Sequence, residues 1–205
     1  MGMMKLRRAI GALGLALPYT VLLSVLVFGE SHVPHGGLEH LSSTHYSPMY
    51  LLFEGLMILT AGFLFFYDGH DIKDKWICKV ASVAAMITAF FPSMVDGKPT
   101  NNYFGVPDLV SHWTHIGAAL VFFAMMATMV GFQFTKTGGA MTRNKRIRNG
   151  IYWACFWLMI AGTIMIPLRI FWFYFPMLGE TILLTANGVA WLVKSGAMFR
   201  DEAAK

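Results

Sequence analysis

The segment Pro107-Asp108-Leu109-Val110-Ser111-His112-Trp113-Thr114-His115 gathers more potential chemistry than any other stretch of this chain. On a helix, Asp108 and His112 are four residues apart, as are Ser111 and His115, while His112 and His115 are three apart. Residues at these spacings share a face, so one face presents a carboxylate, a hydroxyl and two imidazoles. Such a face suits a metal-ligand pair with a supporting carboxylate, or an acid/base relay. It equally suits an ordinary helix start, because Pro followed by an acidic first turn is a common way to open a helix.

Two imidazoles do not complete a zinc site, which takes three or four N, O or S donors. The partners on offer are Glu39, His40, His45 and Asp96, and the set His45, Asp96, His112 and His115 is the candidate zinc site. With Asp96 or Asp108 as its acid, such a site would activate water toward a lipid amide or ester. The loop from Glu30 to His45, with Glu30, His32, His35, Glu39, His40 and His45, is His-rich, which allows weak metal binding, but its spacing matches no closed zinc motif.

Three further ionisable residues lie inside or at the edge of apolar stretches: Glu54, Arg169 and Glu180. Burying an unpaired charge in lipid is costly, so each is a candidate binding residue. A Glu–Arg pair that staples helices is one reading; a polar pocket opening toward one membrane face is the other. Lys194, nearer the far end of the same stretch as Glu180, reads as a side chain that snorkels to the interface.

The elements that must position these residues follow from composition. Of 205 residues, 56% are hydrophobic and only 13% charged; a soluble domain carries about a quarter charged residues. That argues against a disordered chain, a coiled coil, a nucleic-acid-binding module and an ordinary water-soluble enzyme. Cys78 and Cys155 lie in apolar segments and offer no disulfide framework or CxxC site. A helix needs about 20 apolar residues to cross the hydrocarbon core. Six stretches qualify, near 9–29, 48–67, 77–95, 109–134, 150–168 and 176–197. The expected fold is therefore all-α: a single polytopic membrane helix bundle of six transmembrane helices over 1–205. The aromatic run 171–175 reads as an interfacial turn between the last two helices. The basic, then apolar, N-terminus resembles a signal peptide. Its apolar stretch is longer than the usual 7–15 residues and no A-x-A site precedes Glu30, so it reads as a retained first helix.

Orientation follows from the basic residues. Fourteen of the sixteen Lys and Arg fall at the N-terminus, between the second and third stretches, between the fourth and fifth, or at the C-terminal end. Only Lys98 and Arg169 fall on the other side. The positive-inside rule then places both termini in the cytoplasm. Six of the seven histidines, all but His70, lie on the external side. Haem ligation would want facing histidines deep in the spans, and only His115 has any depth.

Three motifs together resemble a group of uncharacterised bacterial six-helix integral membrane proteins. The first is Ser42-Ser43-Thr44-His45-Tyr46-Ser47-Pro48 leading to Phe53-Glu54-Gly55. The second is His115-Ile-Gly-Ala-Ala-Leu-Val-Phe122-Phe123, and the third is Glu180 with the closing Trp191-Leu192-Val193-Lys194. His45 stands where that group has an aromatic residue and Tyr50 where it has a basic one. The resemblance covers the second to sixth helices and implies a bacterial inner-membrane protein, without an activity to transfer. A more distant similarity, to membrane zinc hydrolases of the alkaline ceramidase type, rests on the clustering of His, Asp and Ser near one face. Those proteins carry His-x-x-x-His and seven spans, whereas this chain has His112-x-x-His115.

The leading expectation is an integral membrane protein whose external site binds a lipid head group, a small ligand, a metal or a partner subunit. Its binding residues would be His45, Glu54, Asp108, His112, His115, Arg169 and Glu180. The alternatives are a zinc-dependent outer-leaflet hydrolase and a small proton-linked transporter. The expected partners are membrane lipids, and a partner membrane subunit or a second copy of the chain, with no role for nucleic acid.

Overall fold

The computed structural model describes residues 2–28, 39–47, 50–95, 100, 102–136, 138–139 and 141–199. Their architecture is all-helical. In chain order the long helices are α1 (Met3–Phe28), α2 (Tyr50–Phe65), α3 (Ile72–Phe90), α4 (Asp108–Thr128), α5 (Arg143–Met165) and α6 (Phe175–Lys194). A 3-10 turn, Leu41–Tyr46, precedes α2; α4 runs into a π turn at Met129–Gln133, and α5 into a 3-10 turn at Ile166–Ile170.

Four segments are long and apolar enough to cross a membrane: Met3–Val27, Asp108–Gln133, Arg143–Ile170 and Phe175–Lys194. The apolar α2 is shorter, at 16 residues. The third and fifth of the expected stretches begin later than the helices they overlap, for local reasons. Thr142 caps α5 by accepting from the Lys145 N–H, so the helix starts in the basic segment before the apolar residues begin. Asp71 likewise accepts from the Asp74 N–H and starts α3 ahead of its apolar run, and Pro92 lies just past its end. Residues 171–174 form the turn expected between the last two helices.

The helices close a ring in which α1 packs on α2 and α6, α3 on α2 and α4, and α5 on α6. The contact of α4 with α5 runs largely through the π turn. Close approach is bought with glycine. A Cβ on Gly162 would sit 2.5 Å from the Gly179 carbonyl oxygen, and one on Gly179 would sit 2.5 Å from that of Gly162. Gly188 meets the α1 backbone at Gly11 and Leu15 in the same way. Small residues at crossings are how helices pack where lipid removes the hydrophobic drive between them. The outer surface is correspondingly apolar: Leu23, Leu26, Leu59, Phe66, Val83, Trp113, Trp157 and Ile164 are all exposed.

Each end of the bundle gathers the connections that belong there. At one end, Arg7 near the start of α1 donates to the Tyr67 hydroxyl between α2 and α3, and Lys194 at the end of α6 donates to the Phe134 carbonyl after α4. At the other end, Glu39, Ser93, the head of α4, Arg169 and the head of α6 come together.

Candidate functional site

The segment 39–47 lies as a strap across this second end. The Met177 N–H donates to the Glu39 carbonyl (3.1 Å) and the Leu41 N–H to Glu180 Oε2 (2.7 Å), which fixes the strap to the first turns of α6. On its other side, the Tyr46 hydroxyl donates to the Ser93 carbonyl (2.6 Å), and the Ser42 and Ser93 hydroxyls are 3.2 Å apart. The strap thus joins α6 to the connection between α3 and α4.

Beneath it lies a cavity of about 150 Å³. Its polar end is formed by Glu39, His40, Ser42, His112, His115, Arg169 and Glu180. Ile116, Ala119, Leu120, Phe123 and Ile166 form an apolar wall. Glu39 is 1% exposed and forms an ion pair with Arg169. Burial, reinforced by His115, Arg169 and His112, pulls His40 down to about 3, so it is neutral at ordinary pH. Its Nδ1 lies 2.8 Å from the Ser42 hydroxyl.

The two helix-borne histidines hold their rings by opposite hydrogen bonds. The Met94 N–H donates to His112 Nδ1 at 3.1 Å, which assigns the proton of the neutral ring to Nε2. His115 Nδ1 lies 2.7 Å from the Phe91 carbonyl and 3.1 Å from that of Thr88. Both partners are acceptors, so Nδ1 carries the proton and Nε2 of the neutral ring is left as an acceptor. The cavity therefore meets two adjacent imidazoles of opposite hydrogen-bonding sense.

The expected carboxylate–imidazole relay does not form along α4. Asp108 Oδ1 instead accepts from the Thr100 N–H (2.8 Å) and hydroxyl (2.6 Å), and Ser111 donates to the Pro92 carbonyl (2.9 Å). Asp108, Ser111, His112 and His115 each tie α4 to the chain between Thr88 and Thr100. The reason lies in the backbone: the end of α3 leaves carbonyls without helical partners, and the non-helical chain after it leaves N–H groups that need acceptors.

His45 and Glu54 form a second cluster beside the first. His45 Nδ1 is 2.8 Å from Glu54 Oε1, and the Tyr103 hydroxyl is 2.9 and 2.8 Å from the two Glu54 oxygens. Burial lowers the His45 pKa despite the attraction of Glu54. Burial, and then the hydrogen bond to Glu54, raise Tyr103 to about 12.

The seven binding candidates thus divide. His112, His115, Arg169 and Glu180 line one cavity, His45 and Glu54 pair outside it, and Asp108 serves the α3–α4 connection. Of the candidate metal set, Asp96 lies outside the described residues, as do His32 and His35. Among the described residues no group of three or more His, Cys, Asp or Glu is placed to hold a metal ion. Cys78 and Cys155 are both buried and unbridged.

From the sequence, Glu39 and His40 are candidates only as metal ligands, and nothing singles out Ser93 or Tyr103. The available signal for the Glu39–Arg169 pair is an acid and a base in connections expected on the same side, between the first and second and between the fifth and sixth stretches. Nothing local marks Tyr103 as the partner of Glu54, 49 residues away. No family model, curated protein or solved structure matches the chain.

Proposed function

We propose that the chain is an integral membrane protein of six spans with both termini in the cytoplasm, and that its external cavity binds the polar end of a small amphiphile. The basic residues support this orientation, since they collect at the end of the bundle that holds Arg7, Tyr67 and Lys194. The gathering of alternate connections at opposite ends supports six traversals, with α2 and α3 running the length of the ring beside their longer neighbours.

The observation that carries the binding reading is the setting of Glu180. The Glu39–Arg169 pair beside it is internally neutral and His40 is neutral, so a charge on Glu180 needs a cation that the cavity's own lining does not supply. A head group that donates hydrogen bonds, an ammonium above all, offsets that charge. His115 Nε2 offers a second acceptor, and the apolar wall takes the first methylenes of a chain. A cavity of this size that joins convergent polar groups to an apolar wall suits a small head group and the start of its chain.

Native mass spectrometry of the detergent-purified protein with phosphatidylethanolamine, and with phosphatidylcholine as reference, tests the reading. The primary ammonium lipid is expected to be retained in preference, and Glu180→Gln to weaken its binding about tenfold, the loss of one charge-assisted hydrogen bond. Equal retention of the two lipids, or an unchanged affinity in Glu180→Gln, overturns it.

A further inference from the structure

The opposite end of the bundle contains a cavity of about 340 Å³ with a different chemistry. Its lining includes Arg7 from α1, Lys145 and Arg148 from α5, and Lys194 from α6. His70 and Tyr152 complete the polar part, and no Asp or Glu lines it among the described residues. Positive-inside topology requires basic residues near this face. It does not require four of them, from three helices, to converge on one hollow.

Nor does topology explain the burial of Arg7, which is 5% exposed. Its guanidinium donates to the Tyr67 hydroxyl (3.0 Å) and to His70 Nε2 (2.9 Å), with the Lys194 carbonyl at 3.5 Å. Accepting from Arg7 fixes His70 as the neutral ring protonated on Nδ1. Burial and the adjacent Arg7 and Lys194 lower its pKa, so His70 adds no charge of its own at neutral pH. Lys145 and Lys194 both donate to one acceptor, the Phe134 carbonyl, at 3.1 and 3.3 Å. Arg148 reaches the Phe199 carbonyl at 2.5 Å. Two ammonium groups on one carbonyl oxygen are like charges held side by side, an arrangement that an anion between them relieves. Asp74 lines a neighbouring cavity that shares His70 and Lys194, and its Oδ2 is taken by the His70 N–H.

We infer that this hollow is a binding site for a phosphate group, held by Arg7, Lys145, Arg148 and Lys194. Guanidinium forks match phosphate oxygens in pairs, and lysine ammonium groups complete the charge balance. Two sources present that chemistry at this face: the head group of an anionic phospholipid, and a soluble phosphate. Basic pockets between helices are suited to the first.

The test uses the full chain in a non-ionic detergent, with the unfolding midpoint and affinity read in the same samples. One arm titrates phosphatidylglycerol in mixed micelles, with phosphatidylcholine as reference; the other titrates inorganic phosphate, with chloride as reference. The variant is Lys145→Gln/Arg148→Gln, which leaves the buried Arg7 in place. Binding in the lipid arm alone assigns the site to a head group, and binding in the phosphate arm alone to a soluble ligand. In either case affinity is expected to fall at least about tenfold in the variant and to weaken steeply with added salt. If the variant fails to fold, salt competition in the unaltered protein carries the decision. No binding above the reference in both arms, or binding that neither salt nor the variant weakens, overturns the proposal. Glu180→Gln leaves this site unchanged, so its failure and that of the external cavity are read separately.

Discussion

His45 Nδ1 stands 2.8 Å from the carboxylate of Glu54, and the side chain of each is at most 10% exposed. Burial lowers the His45 pKa more than the carboxylate raises it, and the ring N–H donates to the carboxylate. Tyr103 donates to the same group, and its raised pKa keeps its hydroxyl proton in place throughout the physiological range. The cluster is therefore an acceptor with two donors drawn from three parts of the chain.

Removing the acceptor should cost more than removing the more exposed donor. Glu54→Gln is expected to destabilise by about 1–3 kcal/mol, because a buried donor loses its charged partner, and Tyr103→Phe by about 1 kcal/mol. Chemical unfolding in micelles of the two variants and their double combination measures both. The pair should be coupled. Effects that add to within about 0.3 kcal/mol would show that Tyr103 and Glu54 do not act as a unit.

Arg169 and Glu39 make an asymmetric pair, the arginine side chain 41% exposed and the glutamate 1%. Arg169→Gln leaves a carboxylate in a dry place, and about 1–3 kcal/mol of stability should be lost, less than for a fully buried pair because water reaches the arginine. Glu39→Gln in that background should restore part of the loss, since no charge then remains to be compensated. The measurement is the unfolding midpoint of the two single variants and the double variant. A double variant less stable than Arg169→Gln would show that the carboxylate serves something other than this pair.

The helical bundle was legible because apolar stretches and their flanking charges act locally. Each of the six stretches overlaps one helix, and the aromatic run after Ile170 is the turn its residues suggest. The gathering of His112, His115, Arg169 and Glu180 was legible only as a side of the membrane, because hydropathy reports depth and face but not which helix adjoins which. The partners were not legible. Asp108 and His112 share a helix face, yet Asp108 answers to Thr100 and His112 to the Met94 N–H, because the non-helical chain after α3 presents backbone groups that a helix-face argument leaves out. Arg7 read as a topological charge, and only the ring closure of α1 onto α6 places it beside Lys194.

Acid should loosen the end of the bundle that carries the strap. His40 binds its proton at about 3 in the folded chain, against an ordinary 6.5. Between those values the unfolded chain holds more protons, so stability increases with pH there. The contribution is complete above pH 6.5 and is lost as pH falls toward about 3, by up to ~1.4 kcal/mol per pH unit for one site. His45, also lowered, acts in the same direction. Unfolding at pH 7.5, 6 and 5 should show a steeper acid loss for the unaltered chain than for His40→Gln. Parallel slopes would mean that His40 is protonated in the folded state.

The α5–α6 crossing should tolerate no side chain at either glycine. A Cβ on Gly162 would stand 2.5 Å from the Gly179 carbonyl and 3.2 Å from the Leu183 Cβ, so the helices must separate. Because the obstacle is backbone, no rotamer change relieves it, and overpacking of this kind costs about 1–3 kcal/mol. Gly162→Ala should therefore lower the unfolding midpoint, and Gly179→Ala should do so by a similar amount. Gly62→Ala is the control, since a Cβ there meets nothing within 4 Å and alanine favours the helix by about 1 kcal/mol over glycine. The crossing also sets where Arg169, at the end of α5, meets the first turns of α6. Gly162→Ala should accordingly reduce the preference for the ammonium lipid, while Gly62→Ala leaves it intact. A Gly162→Ala protein as stable as the control would place the two helices farther apart than the structure does.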